Sequence, residues 1–129
     1  MEKRTYPLCI LSTDKEEDDI IFIEYTSNLE INIENAKEIV ANRIAFANDK
    51  KHYVVIDATN VKSISSEAKE YLLDPHYGAK NILGSAVLAS TPVSAMIANI
   101  FIKSLKHSPS KFFSKKADAV AWIKELKKK

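Results

Sequence analysis

The sequence predicts an α/β fold: an N-terminal β-hairpin followed by alternating helices and strands, forming a mixed sheet packed with about four helices. Three observations predict it. Two apolar runs, Tyr6–Ser12 and Ile20–Tyr25, are joined by TDKEEDD, whose charges stay in water and turn the chain back. The runs YVVI at Tyr53–Ile56 and SAVLA at Ser85–Ala89 lack polar alternation, as in strands buried on both faces. Longer segments with apolar residues at helical spacing separate them. With 129 residues, 46% apolar and 28% charged, the chain suits one compact domain over 1–129.

Each element has a local cause. Pro7 lacks an N–H, which places the first strand at a sheet edge, where a second copy could pair to give a homodimer. Asn32 can accept an orphan amide, and Ile33, Ala36, Val40 and Ile44 give an apolar stripe to a helix over 33–46. Asp57 closes the next strand, ATNVKS is a polar connection, and Ser65–Leu73 is helical until DPHYG breaks it. Thr91 fits an N-cap with Pro92 in the first turn, and Val93, Ile97, Ile100, Phe101 and Leu105 build a broad apolar face. Lys111–Phe113 is a short strand, Ser114 caps, and Ala117, Val120, Ala121 and Leu126 line the last helix.

Charge and composition narrow the function. Nineteen basic against seventeen acidic residues leave about +2, too small a surplus to argue for nucleic acid. No apolar run is long enough for a membrane span. Cys9 is the only cysteine, which excludes an intrachain disulfide and makes a reducing cytoplasm the simplest setting. Gly78 and Gly84 are the only glycines, so no phosphate-cradling loop can be written and no cofactor is expected. His52, His76 and His107 lack metal-ligand spacing and read as exposed loop or element-end residues; Cys9 reads as a buried, inert thiol.

Ligands of such sheets usually bind where strands end and helices start, which singles out Asp57 and the Ser90–Thr91 segment. Phosphotransfer to an aspartate followed two positions on by an acid needs that second carboxylate, and Thr59 cannot supply it. Asp57 therefore reads as a turn or cap residue, and no enzyme is expected.

The stretch VVIDATNVKSISSEAKEYL resembles the STAS signature of anti-sigma factor antagonists, where a buried strand runs through a short loop into an Asp-Ser-Ser-Gly helix start. SAVLASTPVSAMIANIFIKSL followed by KFFSKKADAVAWIKEL is similar to the bacterial SpoIIAA-like (STAS/SEC14-domain) proteins, with the helix start at Thr91–Ile97 and Phe113 before Ala119 and Trp122. The resemblance covers the chain from about Ile20 onward and implies a SpoIIAA-like fold. Carried over position by position, Ser65 takes the acidic place, Ser66 the first serine, Glu67 the regulatory phosphoserine and Ala68 the glycine. The usual phosphoacceptor is thus absent; Glu67 suits the helix dipole and would also imitate a fixed negative charge.

These readings lead to a noncatalytic binding or regulatory module. Its expected contact surface for a partner protein is a rim of Asp57, Ser63, Ser65, Ser66, Glu67, Thr91 and Ser94. The alternative is a small-molecule or lipid-binding domain with a CRAL-TRIO-like layout, in which the apolar 93–105 helix would border a small apolar ligand.

Overall fold

The structure is a computed structural model that describes residues 2–104 and 108–129. The strands β1 (Lys3–Thr5), β2 (Cys9–Thr13), β3 (Ile20–Tyr25), β5 (His52–Asp57), β7 (Ile82–Leu88) and β8 (Ser110–Phe113) form one sheet in the order β1-β2-β3-β5-β7-β8. β1, β2 and β3 pair antiparallel; β3, β5, β7 and β8 pair in parallel. The strands β4 (Leu29–Ile31) and β6 (Val61–Ile64) form a separate two-stranded parallel sheet. The helices are α1 (Ile33–Phe46), α2 (Ser66–Leu73), α3 (Pro92–Ser104) and α4 (Lys116–Lys127).

Helix starts follow the sequence chemistry closely. Asn32 Oδ1 accepts the Asn35 N–H at 2.8 Å and Ser65 Oγ accepts the Ala68 N–H at 3.1 Å, each satisfying a first-turn amide. At α3, Thr91 Oγ1 accepts the Ser94 N–H and Ser94 Oγ accepts the Thr91 N–H, both at 3.0 Å, a reciprocal capping pair. The expected Ser114 cap is not used: α4 starts later, behind Lys115, which makes no side-chain cap bond.

The sheet has two differently covered faces. Ala36, Ile39 and Phe46 of α1, Ala68 of α2 and Ile97 of α3 join Leu11, Ile21, Ile23 and Val54 in the larger core on one face. On the other, Ala119 and Ile123 of α4 meet Ile20, Val55 and Ala86. Alternate residues of β5 serve both cores, as the unbroken apolar run requires.

Several expectations are corrected. The strand expected over Tyr6–Ser12 is β2, from Cys9 to Thr13, and β1 pairs with it, so it is internal and Pro7 lies in the turn between them. Any pairing of copies through Tyr6–Ser12 is therefore blocked at that edge by β1. The polar connection after Asp57 contains β6, whose pairing with β4 local alternation did not reveal. On α1 the buried stripe is Ala36, Ile39, Val40, Arg43 and Phe46, while Ile33 and Ile44 are half-buried. On α4 it is Ala119 and Ile123; Ala117 and Ala121 are exposed. Leu105 and the side chains of Val93, Ile100 and Phe101 lie outside the described residues.

Candidate functional site

The larger core is not fully closed. Beneath α1, α2 and α3 lies a cavity of about 70 Å³ with mostly apolar walls, among them Ile23, Ile39, Ile56, Val87 and Ile97. Arg43, Tyr25 and Ser85 are its polar lining residues. Arg43 reaches it because positions 36, 39, 40, 43 and 46 recur at helical spacing, so the guanidinium shares the apolar stripe of α1.

Arg43 is only 3% exposed. Its Nη1 donates to the Lys80 carbonyl and to His52 Nε2, each at 3.1 Å, and its Nη2 donates to the Gly78 carbonyl at 3.0 Å. These bonds tie α1 to the 74–81 connection between α2 and β7. That connection passes close to α2: a Cβ on Gly78 would lie 2.1 Å from the Leu72 Cα, so only glycine fits there. Among the described residues Arg43 forms no ion pair with a carboxylate. Burial pulls its pKa down to about 10, against the opposing influence of Tyr25, and leaves it cationic at neutral pH.

His52 corrects the expectation of an exposed residue. It is 1% exposed, and its Nδ1 donates to the Lys50 carbonyl at 2.8 Å. Burial lowers its pKa to about 4; the Lys50 bond opposes this and the Arg43 charge adds to it. Cys9 is buried as expected, with burial and then Glu38 raising its pKa to about 11, which keeps it a thiol. Burial also pushes the Tyr25 phenol far upward.

The sequence-selected rim is divided by the sheet. Asp57 opens onto the α4 face, in a groove with Phe22, Leu88 and Lys116, and its Oδ1 accepts the Thr59 N–H at 3.0 Å, a turn role. Thr59 Oγ1 lies 3.1 Å from Ser90 Oγ, joining the β5 and β7 ends. Ser63, Ser65, Ser66 and Glu67 belong to β6 and the start of α2, beside the other face, and are exposed. Thr91 is exposed, but Ser94 is fully buried; its hydroxyl is consumed by the α3 cap, which removes it as a surface contact. Among the described residues no three His, Cys, Asp or Glu side chains are grouped to hold a metal ion. No described helix is long and apolar enough to cross a membrane.

Residues 15–127 match the family described as a domain of unknown function (DUF7793). The chain belongs to the DUF7793 family. No curated protein matches it. Among solved structures, an uncharacterized protein of the DUF3478 family from Shewanella loihica PV-4, described as having a SpoIIAA-like fold, superposes with a TM-score of 0.65 at 15% identity. The match covers 93% of this chain and 98% of that one. The DUF7793 chain thus has a SpoIIAA-like α/β fold, in agreement with the resemblance carried by its sequence.

The signal missed in the DUF7793 sequence was Arg43. A charged residue in register with Ala36, Ile39 and Val40 must either snorkel to solvent or be buried with partners. Its carbonyl partners lie in the 74–81 connection, some 35 positions away at Gly78, which no local pattern reveals.

Proposed function

We propose that this DUF7793 chain is a noncatalytic binding module whose ligand is a small molecule held in the cavity beneath α1, α2 and α3. One observation carries the reading: apolar walls from both sheet and helices enclose a few polar groups, the composition of a small-molecule site, in a space of about 70 Å³ that limits the ligand to a few heavy atoms. Side chains already fixed in a packed core hold such a site open with little reorganisation on binding. Native mass spectrometry of protein purified gently from its own cells tests it. A retained compound that disappears in Ala79→Leu, which fills the cavity, supports the reading. Ligand-free protein whose thermal stability no member of a small-molecule panel raises rejects it.

A second reading, contact with a partner protein, is favoured by the start of α2. Ser65 is used as the cap, whereas Ser66 and Glu67 are exposed and make no side-chain hydrogen bond among the described residues. Their position matches the phosphoserine region of the STAS signature, with Glu67 supplying a permanent charge. Recovery of a partner from cell extract by the native chain and its loss with Glu67→Lys supports this surface. Unchanged recovery with Glu67→Lys and Ser66→Ala excludes it.

A further inference from the structure

We propose that the cavity is an anion-recognition site, in which Arg43 receives the carboxylate of a small organic acid whose short apolar body lies against Ile23, Ile56 and Ile97. The inference rests on the cavity reading and names the chemistry of its ligand. A guanidinium buried without a carboxylate leaves a charge uncompensated in a low-dielectric interior, a cost that proteins normally offset by pairing. Carbonyl dipoles at Gly78 and Lys80 and the neutral His52 ring solvate Arg43 but do not neutralise it.

The donor count points the same way. Arg43 has five N–H donors, of which three are taken by His52, Lys80 and Gly78, leaving the Nε–H and one on Nη2. Two donors are what a carboxylate accepts from an arginine. Tyr25, 9% exposed and lining the same cavity, makes no hydrogen bond through its hydroxyl among the described residues. Arg43 and Tyr25 both line the cavity, and among the described residues neither the Arg43 Nε–H nor the Tyr25 hydroxyl has a hydrogen-bond partner. One cation and mainly apolar walls suit a monoanion with a hydrocarbon body; a dianionic phosphate would keep half its charge unpaired.

The test titrates the intact protein at neutral pH with acetate and with acetamide, its neutral counterpart of the same shape, both small enough for a cavity of about 70 Å³. NMR follows the Arg43 Nε–H and the methyl groups of Ile23 and Ile56. The expected result is a preference for the acid of about tenfold or more, the worth of charge-assisted hydrogen bonds, with movement of the Arg43 signal. In Arg43→Gln the preference should largely vanish. Equal binding of acid and amide, or methyl shifts with an unmoved Arg43 signal, overturns the anion site while the cavity reading stands. Binding of neither overturns the anion site, and the cavity reading is then decided by the native mass spectrometry and the thermal-stability panel. An Arg43 shift produced equally by inorganic phosphate, without methyl shifts, also overturns the proposal. Should Arg43→Gln fail to fold, the wild-type Nε–H signal and the acid-to-amide ratio still decide.

Discussion

Arg43 Nη1 donates to His52 Nε2 across 3.1 Å, while His52 Nδ1 donates to the Lys50 carbonyl across 2.8 Å. The guanidinium can only donate, so Nε2 must accept, and the ring is the neutral tautomer protonated at Nδ1. A cation next to a ring that must stay neutral makes this pair sensitive to acid.

The first prediction concerns that sensitivity. His52 has a folded pKa of about 4 against an ordinary 6.5, so between these values the unfolded chain binds more protons. Its contribution is fully present above pH 6.5 and is lost as pH falls toward 4, about 3 kcal/mol in all. Urea midpoints measured across that window should fall, and the fall should be shallower in His52→Asn. Parallel curves for the two proteins would contradict a buried neutral His52.

Removing the guanidinium should cost more than a surface charge does. Arg43→Met fills similar volume but leaves the Gly78 and Lys80 carbonyls without their donor, a loss of roughly 2 to 5 kcal/mol. Hydrogen exchange should show the 74–81 backbone opening first. A loss below about 0.5 kcal/mol would mean those carbonyls find other partners.

The start of α2 separates cap from surface. Ser65→Ala should destabilise by about 1 kcal/mol, because Ser65 Oγ holds the Ala68 N–H. Ser66→Ala and Glu67→Ala should stay within about 1 kcal/mol, with only dipole and propensity at stake. Thermal denaturation of the three variants checks the order; the largest loss at Ser66 would move the cap.

Core truncations should differ according to the cavity. Ile21 is 1% exposed in the sheet centre, so Ile21→Ala should cost about 4 kcal/mol. Ile56 is half-buried and lines the cavity, and Ile56→Ala should fall near the lower end, about 2 kcal/mol. Equal losses would argue that the Ile56 side is as tightly filled as the Ile21 side.

The C-terminal helix is latched electrostatically. Lys127 Nζ donates to Asp19 at 2.6 Å and to Glu17 at 2.7 Å, joining α4 to the β2–β3 connection. Burial lowers the Lys127 pKa, but the bonds to Asp19 and Glu17 outweigh it and raise it overall. A raised lysine pKa gives stability that is present below about 10.5 and lost as pH rises through the folded value. Lys127→Met should cost about 1 kcal/mol at low salt and less at high salt. Lys127 Nζ also lies 5.9 Å from the centroid of the Tyr53 ring, and a salt-independent loss would assign the effect to that contact instead.

The sequence by itself determined the elements whose causes are local. Asn32, Ser65 and Thr91 each carry an oxygen where a helix has orphan amides, and β3 and α1 occur within their expected bounds, Ile20–Tyr25 and Ile33–Phe46. The two-sided apolar run through Val54 and Val55 announced a central strand because alternate side chains must both be buried. Even the SpoIIAA-like fold was legible from the strand-to-helix signature around Asp57 and the later helix start. Only the tertiary structure decided which face each chosen residue serves. Asp57 and Glu67 lie close in sequence, yet the sheet sets the Asp57 side chain on the α4 face while α2, which carries Glu67, packs on the other. The pairing of β4 with β6 and the meeting of Arg43, His52 and Gly78 are long-range contacts: local periodicity shows that a residue will be buried, whereas chain topology selects what it is buried against.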